Sequence, residues 1–434
     1  MFDKKEIQLS KREVGHTLNI GQVFSPNDEW IVFDNRNNDG DIKITASIGM
    51  INVNTGEEKE LYNVPNQTVY GPGVGAASFS PLEDKVIFIH GIRNADEQRP
   101  YDFTRRTGVA IEIAKPHRPI FMDARDIQQP FTPGALRGGT HAHSWSGDGQ
   151  WISFTYNDYV LEQLALKDKK IKDLRTIGLM YPGQVKVAHT QDLENNSGEM
   201  FSVLAATVTE NPKSGSNEID KAFDECWVGK NGYIKADGTR QHRAIAFQGN
   251  VRAEAGRTVT EIFVADIPAN LPSSNFNVRI EGSENTRPEV PSGIEQRRIT
   301  FTKKGIKGPR HWLRSNSDGT KIFFLSEDDQ DIVQIYAVSP NGGNIMQVTH
   351  HEFSITSPIN LSPDGLYLSY IGNQSVFITE IATGLSERLT PQYDAPENLN
   401  GAVVWSNDGK KLAYNRYVKT TKGTFLQIFL LKRP

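Results

Sequence analysis

Apolar and polar residues alternate with a period of two through most of this chain, and one polar turn interrupts the alternation again and again. The hairpins "FSPNDEWIVF" from Phe24, "FSPLEDKVIF" from Phe79, "WSGDGQWISF" from Trp145, "SNSDGTKIFF" from Ser315, "LSPDGLYLSY" from Leu361 and "WSNDGKKLAY" from Trp405 share one plan. A strand ends, a turn containing Asp or Gly follows, and a second strand closes on an aromatic residue, which is a β-hairpin signature. Third strands follow as "SIGMINVN", "GVAIEI", "VLEQLAL", "IVQIYAVS", "VFITEIA" and "FLQIFLL". Fourth strands follow as "EKELYNV", "RPIFMD", "KIKDLRT", "NIMQVT" and "SERLT". Four antiparallel strands in each unit of about forty to sixty residues make the blade of a β-propeller.

Fourth strands count the blades. "RRITFT" at 297–302 and "EIQLS" at 6–10 join the five above and give seven. The last unit ends after its third strand, and "EIQLS" precedes the first hairpin. The N-terminal strand is therefore expected to complete the C-terminal blade, closing the ring and removing exposed sheet edges. The expected fold is all-β: one seven-bladed propeller over residues 1–434. Region 175–302 fits the repeat poorly and is taken as one oversized blade with an insertion around 190–235; eight blades is the alternative. The segment 267–293, rich in Pro, Ser and Asn, is expected to lie as a long loop over one face of the ring.

Composition narrows the functional classes. The 434 residues carry a formal net charge of −4 with no basic, aromatic-interleaved stripe, so nucleic acid is not an expected partner. The single cysteine, Cys226, excludes an intrachain disulfide, and its setting in "FDECWVG" suits packing in or beside a strand rather than catalysis. No stretch has the length or apolarity of a membrane span, and the first residues lack an apolar leader core, which favours the cytoplasm. Removal of a leader from a periplasmic protein would leave the same pattern. Oligomeric state is not legible.

The candidate chemistry sits in "RGGTHAH", 137–143. On a regular strand His141 and His143 point to one side, so two imidazoles at i, i+2 can share a cation. His141 lies five residues before Ser146, the first turn residue of its hairpin, and His311 lies five before Asn316. Two inner strands thus offer histidine at the same height along the channel, where the other blades have Ile20, Gly75, Ser357 and Gly401. His141, His143 and His311 are the candidate metal ligands. His141 and His311 are also candidate catalytic imidazoles, with His16 in the loop entering the first inner strand. The competing reading is that each histidine hydrogen-bonds a loop between blades. Arg137 and Arg310 are the candidate anion partners; Arg36, Arg314, Tyr101 and Asp102 are weaker ones, and ion pairing between blades explains any arginine singly. The acidic run in "EIDKAFDEC" is equally well explained by a polar, helical segment. Catalytic signatures such as Gly-x-Ser-x-Gly, a phosphate loop or His-Glu-x-x-His are absent.

The repeated hairpins resemble those of TolB-type propellers over nearly the whole chain. "GHTLNIGQVFSPNDEWIVFDNR", "YDFTRRTGV", "FTPGALRGGTHAHSWSGDGQWISFTYND", "GSNEIDKAFDECWVG" and "PRHWLRSN" together resemble the YidR family of bacterial proteins. That family is in turn similar to oligogalacturonate lyases, seven-bladed propellers that hold a divalent metal, typically manganese, and cleave uronic-acid oligosaccharides by β-elimination with a histidine base. The resemblance implies an enzyme acting on an anionic oligosaccharide at the channel mouth. The resemblance assigns neither the lyase's glutamine ligand nor its base to a position here. Two other functions stand beside it: a non-catalytic TolB- or WD40-like propeller that binds a protein or glycan, in which each histidine is satisfied by backbone groups, and a propeller glycoside hydrolase.

Overall fold

A computed structural model describes residues 2–253 and 256–433; Met1, Glu254, Ala255 and Pro434 lie outside the described residues. Seven sheets of three or four strands follow one another around a central channel, with two further two-stranded sheets beside them. The turn between the first two strands of each blade explains the repeat. In the third blade Ser146 Oγ donates to Asp148 Oδ1 at 2.5 Å and accepts the Trp151 N–H at 3.0 Å. Gly149 follows at φ +66°, a conformation that costs glycine little. Ser406 and Asp408 repeat the hydroxyl–carboxylate bond in the seventh blade at 2.6 Å.

Blade one consists of Trp30–Asp34, Ser47–Asn52 and Glu58–Asn63, with its inner edge supplied by the single bridges Thr17 to Asp34 and Phe24 to Ile31. Blade two runs Val74–Phe79, Lys85–Gly91, Arg106–Glu112 and Ile120–Phe121. Blade three runs Gly139–Trp145, Ile152–Asn157, Thr176–Val185 and Gly198–Leu204, and blade four Ile219–Trp227, Arg243–Arg252, Thr258–Ile267 and Glu295–Arg298. Blades five and six have short inner strands, Arg314–Ser315 and Asn360–Leu361. In blade seven Leu399–Trp405, Lys411–Lys419 and Thr424–Lys432 are joined by Asp3–Gln8, with Ile7 opposite Leu430 and Gln8 opposite Phe429. The expected closure of the ring is therefore observed. Apolar clusters fill the spaces between blades, as where Phe154 and Trp145 of blade three meet Ile87 and Ala110 of blade two.

Several local expectations fail. "VLEQLAL" is a helix, Tyr159–Ala165, with Asp158 capping its first turn by accepting the Leu161 N–H at 2.9 Å. The third strand of blade three is Thr176–Val185, and its fourth is Gly198–Leu204 rather than "KIKDLRT". The count of seven survives because one wrong fourth strand stood in for one missed. Blades three and four thus divide between Leu204 and Ile219 rather than near 175, and no eighth blade is needed. The acidic run is also a strand, the inner one of blade four.

The 267–293 segment packs along the outer strands of blade three instead of over the channel. Tyr181 Oη donates to the Pro272 carbonyl at 2.7 Å, and Phe276 stacks on Phe201 at 5.8 Å.

Candidate functional site

The two registered histidines have opposite roles, and backbone pairing decides which is which. In blade five the inner ladder starts only at Arg314, so the Leu325 N–H of the second strand faces no backbone acceptor. His311 Nε2 accepts it at 2.9 Å, while its Nδ1–H donates to the Pro309 carbonyl at 2.8 Å. Ser357 Oγ does the same for the Ile371 N–H in blade six, at 2.7 Å. In blade three the inner ladder extends to Gly139, and His141 lies opposite Thr155 within it. The backbone there is already paired, so the His141 side chain is left free. Neither His141 nitrogen has a hydrogen-bond partner, although the residue is only 3% exposed.

His143 does not share the His141 face. Ala142 has φ +59°, and the pairing register shifts between His141 and Ser144. This bulge breaks strict alternation. The His143 ring lies against Gly108 of blade two, where a Cβ would meet Nε2 at 2.8 Å. His143 Nε2 bonds Thr140 Oγ1 at 3.0 Å, and that hydroxyl donates to the buried Asp123 at 2.9 Å. Thr107 Oγ1 and the Gly108 N–H also donate to Asp123, completing a polar seam between blades two and three.

His141 instead belongs to a cationic cluster. Its ring centroid is 6.0 Å from that of Phe103, edge-on. The Arg106 guanidinium lies 4.3 Å from the same phenyl centroid and that of Arg175 lies 5.3 Å from it. Burial, and then the charges of Arg106, Arg175 and Arg310, hold the His141 imidazole well below its ordinary pKa. Burial also lowers Arg106 and Arg175, as expected for cations whose charge is not fully matched. Arg106 is buried with Nε unbonded, beside a Tyr101 hydroxyl that also lacks a partner. Arg310 is about half exposed and pairs with Asp224 at 3.1 Å. Burial raises the Asp224 carboxyl against that pairing.

The remaining candidates lie elsewhere. Arg137 is buried and paired with a carboxylate: Nε donates to Asp158 at 2.9 Å, and the terminal nitrogens donate to the carbonyls of Ser283 and Thr286. It fastens the 267–293 segment to blade three and is not an anion partner. His16 Nδ1 bonds the Val14 carbonyl at 3.0 Å, and Nε2 faces Glu58 on the outer strand of blade one at 3.3 Å. Arg36 is held by Asp34 and Asp39.

The expected metal set does not assemble. His311 has both ring nitrogens committed, His143 is turned toward blade two, and among the described residues no group of three His, Cys, Asp or Glu is arranged to hold an ion. These residues do not fit a three-histidine metal centre.

Sequence reading missed Arg106, Arg175 and Phe103. The first and last stand in "YDFTRRTGV", where the sequence singles out only Tyr101 and Asp102. Arg175 stood in the segment misassigned as a fourth strand.

The fold is a seven-bladed propeller, and a cluster of arginines around one unbonded histidine lies at the entry end of its inner strands. The chain is 36% identical over 418 residues, 94% of each sequence, to the protein YidR of Escherichia coli (strain K12), and it belongs to the YidR family. Residues 73–195, spanning blade two and most of blade three, match a family described as "Protein of unknown function (DUF3748)". Among solved structures, an oligogalacturonate lyase in complex with manganese aligns at TM-score 0.55 and 12% identity, covering 99% of this chain and 93% of that one. The oligogalacturonate lyase of Vibrio parahaemolyticus aligns at 0.53 and 10% identity, with the same coverage. At such identities the likeness is one of fold.

Proposed function

We propose that this protein acts on an acidic, uronate-containing oligosaccharide by β-elimination, with His141 as the base. One observation carries the reading: His141 is a buried imidazole with neither nitrogen bonded, held among three guanidinium groups. A purely structural or protein-binding propeller would have its channel histidines satisfied by neighbours, as His311 is. An unpaired polar ring in a buried site costs stability, of the order of 1–3 kcal/mol, unless something else retains it.

The chemistry follows from the cluster. Arg106, Arg175 and Arg310 suit a carboxylate, which accepts paired N–H donors from a guanidinium. A bound carboxylate offsets the part of the His141 depression that comes from the arginine charges, so the imidazole is more basic when substrate is present. His141 then takes the proton from the carbon bearing the carboxylate, and the arginines stabilise the charge spreading onto the carboxylate oxygens. The bond from the adjacent carbon to the glycosidic oxygen breaks, a carbon–carbon double bond forms, and the departing oxygen takes a proton from solvent. Phe103 covers the ring and keeps bulk water from it.

Titration calorimetry tests the binding half. A galacturonate disaccharide is expected to bind and the neutral galactose disaccharide is not. Arg106→Met should weaken the acidic ligand at least tenfold, in line with losing a charge-assisted contact of about 1.5–3 kcal/mol. Equal affinity for both sugars would overturn the reading.

A further inference from the structure

The channel holds a polar cavity, displaced from His141 toward the turn end of the blades. Its volume is about 390 Å³, and inner strands of six blades reach it. Besides the Cys226 thiol, three ionisable side chains line it, Arg314, Glu225 and, exposed at its edge, Lys230, and among the described residues neither Arg314 nor Glu225 is held in an ion pair. Arg314 crosses from blade five: Nε donates to Asn360 Oδ1 at 2.8 Å, one terminal nitrogen to the Leu313 carbonyl at 2.9 Å and the other to the Ile20 carbonyl at 2.8 Å. All three acceptors are uncharged. A guanidinium has five N–H bonds, so two remain. Burial pushes Arg314 down to about 10, and the Cys226 thiol is what opposes the fall; no carboxylate does.

Glu225, on the inner strand of blade four, is the second group. It is 1% exposed; Oε2 accepts from Thr155 Oγ1 at 3.1 Å, and Oε1 has no partner. Asn19, Gln22 and Asn360 add amide groups, and Trp145, Trp227 and Trp405 add aromatic surface. A half-buried cation and a buried carboxyl, each incompletely bonded around one cavity, are costly as bare scaffold. Both are satisfied by one guest.

We propose that this cavity is a binding site for a small hydroxylated organic anion, whose carboxylate pairs with Arg314 and whose hydroxyl groups meet Glu225 and the channel amides. The site is separate from the His141 cluster and does not depend on the reaction assigned there. The volume admits a single sugar acid rather than an oligosaccharide. Its specificity is set by two opposed groups: Arg314 selects the anion, and Glu225 rejects ligands that cannot donate a hydrogen bond.

The full chain is titrated with D-gluconate, acetate and D-glucose, following tryptophan fluorescence and heat. Gluconate is expected to bind and change the emission of the channel tryptophans; glucose, without the anion, and acetate, without hydroxyls, are expected to bind at least tenfold more weakly. Arg314→Met should abolish gluconate binding. Because Arg314 also braces three blades, Glu225→Gln serves as the second variant, and it should narrow the preference for gluconate over acetate. Arg106→Met, at the other site, should leave the signal unchanged. Silence of the wild-type protein toward gluconate overturns the proposal, as does binding that Arg106→Met removes and Arg314→Met retains.

Discussion

Phe103 and His141 stand with ring centroids 6.0 Å apart at 68°, the phenyl 51% exposed and the imidazole 3% exposed. An apolar residue that exposed on a cationic surface is held by Arg106 and Arg175, whose charges face its π-system. It is positioned as a cover for His141.

Removing the cover gives a first expectation. Phe103→Ala should raise the rate at which diethylpyrocarbonate modifies His141, roughly tenfold or more, since attack requires access to a free nitrogen. Peptide mass mapping reads the site of modification. His311 should stay protected in both proteins, because its nitrogens are bonded to protein groups. Equal His141 reactivity with and without Phe103 would show that the phenyl does not gate the site.

The contrast between the registered histidines gives a second. His311→Ala strands the Leu325 N–H and the Pro309 carbonyl, and should cost about 2–4 kcal/mol in urea unfolding. His141→Ala removes a ring with no hydrogen bonds, and should change stability by no more than about 1 kcal/mol while removing activity. A His141 variant as unstable as the His311 variant would place both in the scaffold.

How much of this was legible in the sequence follows from the same pair. The Ser-x-Asp-Gly turn specifies its own geometry through local bonds such as Ser146 to Asp148, so the blade repeat and the ring closure could be read directly. Register alone put His141 and His311 at one height. It could not show that the inner ladder of blade three runs on to Gly139 while that of blade five starts at Arg314, which decides whether the side chain is needed by the backbone. The bulge at Ala142 was hidden for the same reason, since alanine carries no mark of a positive φ. "VLEQLAL" misled because its apolar spacing suits strand or helix, and the Asp158 cap was overlooked. Arg106 and Arg175 sit at strand starts in different blades, where no period links them.

Arg137 provides a third expectation. Arg137→Met leaves the buried Asp158 carboxylate without its cation and should cost about 3–5 kcal/mol. It also frees the carbonyls of Ser283 and Thr286, so trypsin should cut at Arg279 or Arg287 sooner than in the wild type. Affinity for an acidic sugar in the surviving folded protein should be unchanged. A selective loss of that affinity would return Arg137 to the binding site.

Glu225 sets a pH dependence whose sign is opposite to that of a salt-bridged acid. Burial pushes its carboxyl up to about 7, with Asp224 adding to the rise. Between its unfolded value near 4.5 and about 7 the native state holds a proton that the unfolded state has released. The stabilisation is therefore full at low pH and lost as pH rises through 7. Glu225→Gln does not titrate, so its stability relative to wild type should improve from pH 5 to pH 8, by up to about 3 kcal/mol. A difference that stays flat, measured by urea unfolding across that range, would mean that Glu225 is ionised and compensated in the native protein.

The central claim is that His141, unbonded among arginines, is a base for elimination from a uronate. It is tested by incubating the protein with a galacturonate oligosaccharide in the presence of chelator and following the ultraviolet absorbance of the new carbon–carbon double bond. The account predicts product from the wild type, none from His141→Ala, and a raised KM for Arg106→Met. Product formed equally well by His141→Ala, or none from the folded wild type across acidic oligosaccharides, would contradict it.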